Sequence, residues 1–267
     1  MVEWIASIDD ESLRKDVMEK VIVTGGCIVS MLQGEKVNDF DIYFKDRTIT
    51  FRIAKYYVEI ANKHFNRSAI VTNEDRVRIV IASQGEIGQQ PEERKEYDDV
   101  DVKEDEELAK YSPIYLSENA ITLKDKVQLI TRFYGDPEEI HKNYDFIHCT
   151  NYWTRATGLV TNVKALESIL TKELHYVGSL YPLCSIIRTR KFIGRGWRIH
   201  AGQYLKMCFQ LNELDLTDIE VLRDQLTGVD SAYFHHLITA LESKKSFDEE
   251  FQITSDYVSE IVDRIFN

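Results

Sequence analysis

Hydrophobic positions divide the chain into two regimes. Short β-branched runs broken by turn residues fill residues 1–157, and apolar positions at helical spacing fill residues 158–267. Asp9 to Lys20 fits a capped amphipathic helix. Val21-Ile22-Val23 reads as a buried strand, and Gly25-Gly26 breaks it. Ile28, Val29, Met31 and Leu32 then fit a short helix that Gly34 stops. Asp39 to Phe44 alternates as a second strand, and Thr50 to Phe65 predicts a helix with Ile53, Tyr57, Ile60 and Ala61 on one face. Ser68–Val71 and Val77–Ile81 predict a strand pair that turns at Asn73-Glu74-Asp75. Ile114–Leu116, Ala120–Leu123 and Val127–Ile130 predict further strands of one sheet, the last also compatible with a helix, and Tyr144–Cys149 predicts a late strand. Six helices follow: Val163–Tyr176, Leu183–Ile193, Gly202–Leu211, Thr217–Leu226, Ser231–Glu242 and Ser255–Phe266. The fold class is therefore α/β (α+β), a mixed-sheet domain over residues 1–157 followed by an all-helical domain over 158–267, with the boundary near Gly158.

The candidate chemistry lies in residues 21–44. A strand entering a helix through two glycines leaves amide groups at the helix start that favour an anionic ligand, and glycine lets a phosphate approach the backbone. On the following strand Asp39 and Asp41 point to one face while Phe40 and Ile42 point to the core. Their Cα atoms lie roughly 7 Å apart, and two carboxylates at that spacing suit one or two Mg²⁺ ions. Taken singly, an Asp-x-Asp also fits a solvated strand edge and a Gly-Gly an ordinary turn. Their order, spacing and apolar context set this pair apart. Asp145 is the one acid of the late strand Tyr144–Cys149, where it fits a residue that caps or flanks the preceding turn. His148 lies an odd number of residues further on, which makes it a structural histidine of the other face.

Composition refines this picture. A charged fraction of 29% with 43% apolar residues is that of a globular protein, and no apolar run reaches membrane-spanning length. The acidic N-terminal residues Glu3, Asp9, Asp10 and Glu11 predict no signal peptide. Four widely spaced cysteines without a Cys-x-x-Cys predict reduced thiols of a cytoplasmic protein and no zinc site. The net charge of −12 argues against a nucleic-acid partner until its distribution is considered. Residues 86–107 carry eleven acids against Arg94, Lys95 and Lys103, a local net of −8, and predict a polar insertion over about 86–110. Its Asp98-Asp99-Val100-Asp101 fits a solvated loop better than a cation site. By contrast, Leu174 to Asn212 contains no acid and carries Arg188, Arg190, Lys191, Arg195, Arg198 and Lys206. These cations suit a triphosphate or a nucleic-acid backbone; they also suit a solvated helix face paired with acids elsewhere.

The sequence from Gly25-Gly26 through the apolar helix and Gly34 to Asp39-x-Asp41 resembles the signature of the polymerase-β-type nucleotidyltransferase superfamily. Within it the layout is similar to bacterial poly(A) polymerases and CCA-adding enzymes. A second likeness lies in Pro182-Leu183, Arg188, Lys191-Phe192, Arg195 and Gly196-Trp197, which are similar to the neck helix of those enzymes. Two departures stand out. The family's Arg-Asp pair is Val29-Ser30 here, and the base-reading Glu-Asp-x-x-Arg motif is replaced by Leu180-Tyr181-Pro182-Leu183-Cys184, which disfavours CCA addition. The literal Glu74-Asp75-Arg76-Val77-Arg78 falls in a predicted hairpin and is coincidental.

The resemblance implies a nucleotidyltransferase-fold domain and transfer of a nucleoside monophosphate from an NTP to an acceptor hydroxyl, with an RNA 3′ end as the acceptor. It implies two Mg²⁺ ions on Asp39, Asp41 and Asp145, and nucleotide contacts from Gly25, Gly26, Ser30, Arg188, Lys191 and Arg195. RNA would follow the basic segment 188–206, while Phe192 and Trp197 serve as core anchors. Nucleotidylation of a protein or small molecule, and a catalytically inactive binding or assembly protein of the same fold, are the alternatives. The helical half also resembles uncharacterised proteins of large tailed phages, which implies a phage origin.

Overall fold

A computed structural model describes residues 2–65, 68–81, 109–226, 232–247 and 251–266. The chain forms two compact units. One comprises the residues up to Lys142 together with His148–Ile169, and the other Asn143–Ile147 together with the residues from Leu170 onward.

The first unit opens with helices α1 (Val2–Ala6) and α2 (Glu11–Lys20). Asp10 caps α2 by accepting the Leu13 amide at 2.9 Å. Strand β1 (Val21–Thr24) is buried along its length, helix α3 (Gly26–Gln33) follows, and strand β2 spans Phe40–Phe44. Gly34 ends α3 in the left-handed conformation, where its amide reaches the Met31 carbonyl and the Glu35 amide reaches Ser30. Helix α4 (Arg47–Phe65) leads to the hairpin β3 (Ala69–Thr72) and β4 (Arg78–Ile81), which forms its own two-stranded sheet. Strands β5 (Pro113–Leu116), β6 (Ala120–Leu123) and β7 (Val127–Ile130) come next, so the alternative of a helix at Val127–Ile130 falls away. Helix α5 (Pro137–His141), strands β8 (Tyr152–Thr154) and β9 (Gly158–Val160), and helix α6 (Val163–Thr171) follow.

Seven strands form one mixed sheet in the order β5-β6-β7-β2-β1-β8-β9, and β2 runs parallel to β7. Trp4, Val17, Phe44, Ile53, Tyr57 and Leu129 belong to one buried cluster that joins this sheet to α1, α2 and α4. The Trp4 indole donates to the Tyr57 hydroxyl at 2.8 Å, which satisfies the one polar atom that Trp4 buries.

The second unit contains β10 (Glu173–Leu174), α7 (Pro182–Gly194), β11 (Arg198–Ile199), α8 (Ala201–Leu211), α9 (Ile219–Gln225), α10 (Ala232–Phe247) and α11 (Ser255–Phe266). Strands β10 and β11 pair in parallel. Ile219, Leu222, Leu241 and Ile261 pack together as a separate helical core.

Three local expectations are corrected. Tyr144–Cys149 is not a sheet strand: Phe146 makes an isolated bridge to Tyr176, and Ile147–Cys149 is a 3₁₀ turn. Phe146 packs edge-on against Tyr176 and Phe192, so this segment serves the second unit rather than extending the sheet. The helix expected over Val163–Tyr176 ends at Thr171, where Lys172 takes a positive φ of 51° and directs the chain into β10. The β8–β9 hairpin was not expected, yet β8 covers the open side of β1. The acidic segment 86–107, including Asp98-Asp99-Val100-Asp101, lies outside the described residues.

Candidate functional site

The glycine turn is built at the end of β1. Gly25 has φ 91° and ψ −152°, a conformation that only glycine adopts without strain, and its amide donates to the Cys149 carbonyl at 3.2 Å. Gly26 is different. Its φ is not positive, and a Cβ built on it meets no atom within 4 Å. The protein's own packing therefore does not explain glycine at the first position of a helix, where alanine would be favoured. The first amides of a helix lack intrahelical acceptors. Here the Ile28 amide goes to the Gly25 carbonyl, and no carbonyl among the described residues takes the Gly26 or Cys27 amide. Open space, two donors and the positive end of α3 coincide at this point. Ser30 lies four residues on, on the same helix face as Gly26.

The carboxylates come from the adjoining strand. Asp39 is exposed just before β2, and Asp41 is half-buried within it. Ile42 and Phe44 are fully buried, so Asp41 points away from those side chains, and Asp39 lies two residues earlier at the entry to the strand. The first turn of α3 reaches this strand: burial, and then the charge of Asp41, push the Cys27 thiol up to about 12. The thiol points to the Thr24 carbonyl at 3.6 Å. One contact set thus brings the glycine turn and the carboxylate strand together.

Thr24, fully buried, anchors the turn in a way the sequence did not disclose. Its hydroxyl lies 2.8 Å from His141 Nε2 and 2.8 Å from the Asn151 carbonyl. A hydroxyl has one proton, and a carbonyl can only accept, so the Thr24 proton goes to Asn151 and His141 donates from Nε2. Burial lowers the His141 pKa to about 4, which keeps the ring neutral at pH 7. Asn151 Oδ1 in turn accepts the Asn162 amide at 2.8 Å. Only the position of Thr24 immediately before Gly25 could have pointed to it; His141 lies 117 residues away and carried no signal.

Asp145, Arg188, Lys191 and Arg195 belong to the second unit. Asp145 is buried, and Arg188 Nη1 donates to both of its carboxylate oxygens at 2.9 and 2.8 Å. The Asp145 carbonyl also accepts the Val177 amide at 2.9 Å. Lys191 and Arg195 are exposed on and just after α7. Arg198 and His200 both approach Glu173, at 3.2 and 3.4 Å. Trp197 is buried edge-on against Phe192, which agrees with both rings acting as core anchors. Arg76 of the coincidental motif binds Asn119 and Glu118, each at 2.7 Å.

The donor set can be tested against a divalent cation. Among the described residues no group of three acidic, histidine or cysteine side chains converges. Mg²⁺ is commonly held by one or two carboxylates with the remaining positions filled by substrate phosphate and water. Asp39 and Asp41 beside the open turn at Gly26 fit one such ion together with a phosphate. All four cysteines are free thiols, and no helix among the described residues is long and apolar enough to cross a membrane.

Comparison with known proteins places this chain in a family. It is 20% identical over 260 residues to Gabija anti-defense 2 of Bacillus phage SPbetaL7, a match covering 96% of this chain and 51% of that protein. The chain thus spans about half the length of that relative. Among solved structures it is similar to a Thermotoga maritima CCA-adding enzyme complexed with tRNA, at 12% identity, 96% and 57% coverage and a TM-score of 0.42. It is also similar to a Bacillus stearothermophilus CCA-adding enzyme in complex with CTP, at 11% identity, 90% and 51% coverage and a TM-score of 0.39. The model of the Gabija anti-defense 2 family proteins matches residues 1–172, well over half of the sequence, and the chain belongs to that family.

Proposed function

We propose that the first unit binds a nucleoside triphosphate with Mg²⁺ and transfers its nucleoside monophosphate to an acceptor hydroxyl. One observation carries this reading: an open Gly26 turn packed through Cys27 against the strand that bears Asp41, with Asp39 just before that strand. The Gly26 and Cys27 amides would donate to phosphate oxygens, and the positive end of α3 would add to the attraction. Ser30 would donate from the next turn of the same face. Thr24, held by His141 and Asn151, would keep the turn in place as phosphate arrives. Mg²⁺ on Asp39 and Asp41 would neutralise phosphate charge and favour the deprotonated form of the acceptor hydroxyl. In the transfer, the acceptor oxygen bonds to the α-phosphorus, the bond to the pyrophosphate bridging oxygen breaks, and the hydroxyl proton leaves to solvent or base.

Asp145 is better read as a strut than as a ligand, because its carboxylate is committed to Arg188 within the second unit. Lys191 and Arg195 remain the exposed cations that would follow an RNA backbone as acceptor. The relative's name and phage source fit a phage-encoded protein that opposes a host defence, which would act in the cytoplasm.

The absence of a third convergent acid among the described residues favours a second reading, in which the same site holds a nucleotide without turnover and the protein acts by binding. Incubation with labelled NTPs, Mg²⁺ and RNA or protein acceptors separates the two. Incorporation that is lost in Asp41→Ala supports transfer. Metal-dependent NTP binding without incorporation supports the binding reading.

A further inference from the structure

The register of the sheet identifies a neighbour of the carboxylate pair that lies on no motif. Strand β7 runs parallel to β2, with Asp41 opposite Gln128 and Phe40 opposite Val127. Residues level with each other on adjacent strands share a face, and adjacent strands lie about 4.8 Å apart. Val127 and Leu129 are buried, so Gln128, half-buried, points to the same side as Asp41. The next residue across is Thr122, opposite Gln128 on β6. On the other side of β2 the ladder pairs Val23 with Ile42, and one further step brings Thr24 level with Asp41. Asp41 is therefore flanked in its own row by a hydroxyl and an amide, and by no second acid.

We propose that Gln128 is the third side chain of the Asp39–Asp41 site, its amide oxygen facing the cation held there. The inference rests on the metal–nucleotide reading given above. An amide oxygen is a competent ligand for a hard divalent cation but contributes no charge. A site of two carboxylates and one amide holds a cation weakly by itself and tightly only when nucleotide phosphates complete it. The cation then arrives with its nucleotide instead of residing on the protein. The partner class that follows is a divalent metal–nucleoside triphosphate complex, with free metal discriminated against.

The test uses the full chain with Mn²⁺, counted by electron paramagnetic resonance with and without ATP, and melting curves of each variant to establish folding. Wild type is expected to hold Mn²⁺ at least tenfold more tightly with ATP than without. Gln128→Glu, which supplies the missing charge, should tighten Mn²⁺ binding without ATP by tenfold or more. Gln128→Ala should weaken Mn²⁺ binding with ATP severalfold. Thr122→Glu places the same charge one strand further away and should change either affinity less than threefold. Equal effects of Gln128→Glu and Thr122→Glu would overturn ligation in favour of a general field. Unchanged affinity in folded Gln128→Glu and Gln128→Ala would also overturn it, while loss in Asp41→Ala would leave the underlying site standing. Failure of wild type to hold Mn²⁺ with ATP would overturn both.

Discussion

Gly26→Ala separates the demands of the fold from those of a ligand. A methyl group at this position meets nothing within 4 Å, and the backbone is helical, so the substitution introduces neither clash nor strain. Replacing glycine by alanine at a compatible helical site stabilises by about 0.4–1 kcal/mol, chiefly by reducing the freedom of the unfolded chain. For a protein of this size that corresponds to a rise in Tm of roughly 1–4 °C. The same methyl group occupies the space through which a phosphate would approach the Gly26 and Cys27 amides. Loss of about 1.4 kcal/mol of contact there would weaken binding about tenfold. Gly25→Ala provides the contrast: at φ 91° and ψ −152° it should cost about 1–3 kcal/mol of stability. Chemical denaturation and isothermal titration with MgATP measure the two effects separately. The reasoning fails if Gly26→Ala destabilises the protein, which would make the glycine a packing requirement. It fails equally if a stable Gly26→Ala protein binds MgATP like wild type.

Three further outcomes follow from the structure. Asp145→Asn should cost about 2 kcal/mol, less than a fully buried ion pair because Arg188 is one-third exposed, and a double-mutant cycle with Arg188→Met should recover most of it as coupling; additivity of the two substitutions would remove the strut. Burial depresses the pKa of His148 to about 3 and that of His141 to about 4, so below about pH 6.5 the unfolded chain takes up protons that the folded chain refuses. Stability should therefore fall as pH drops from 6.5 towards these values, by up to about 1.4 kcal/mol per pH unit for each ring, and His148→Gln should flatten the slope in urea titrations at stepped pH. Thiol labelling should reach exposed Cys208 first, while Cys27 and Cys184, buried and pushed up to about 12 and about 11, react only on unfolding.

The parts of the fold legible in the sequence are those that local physics determines. β1, α3 and β2 follow from a β-branched run, a glycine break and strict alternation, and the position of Gly34 marks where α3 ends. Long-range partners were not legible. Tyr144–Cys149 alternates like a strand, but its ring and its acid are held by Tyr176, Phe192 and Arg188 far along the chain. The β8–β9 hairpin is short, and Tyr152, Trp153 and Thr154 look like a strand only once β1 is there to pair with them. Of the site, the glycine turn and the acid pair could be read from spacing. Gln128 and His141 could not, because strand order and a contact spanning 117 residues bring them to it.

The most direct test of the central claim is MgATP binding by the wild type, Asp39→Ala and Asp41→Ala, titrated with and without excess EDTA. The account predicts saturable binding by the wild type that EDTA abolishes and that each substitution weakens at least tenfold, with melting temperatures unchanged within a few degrees. Binding that is indifferent to EDTA and to both substitutions would contradict it.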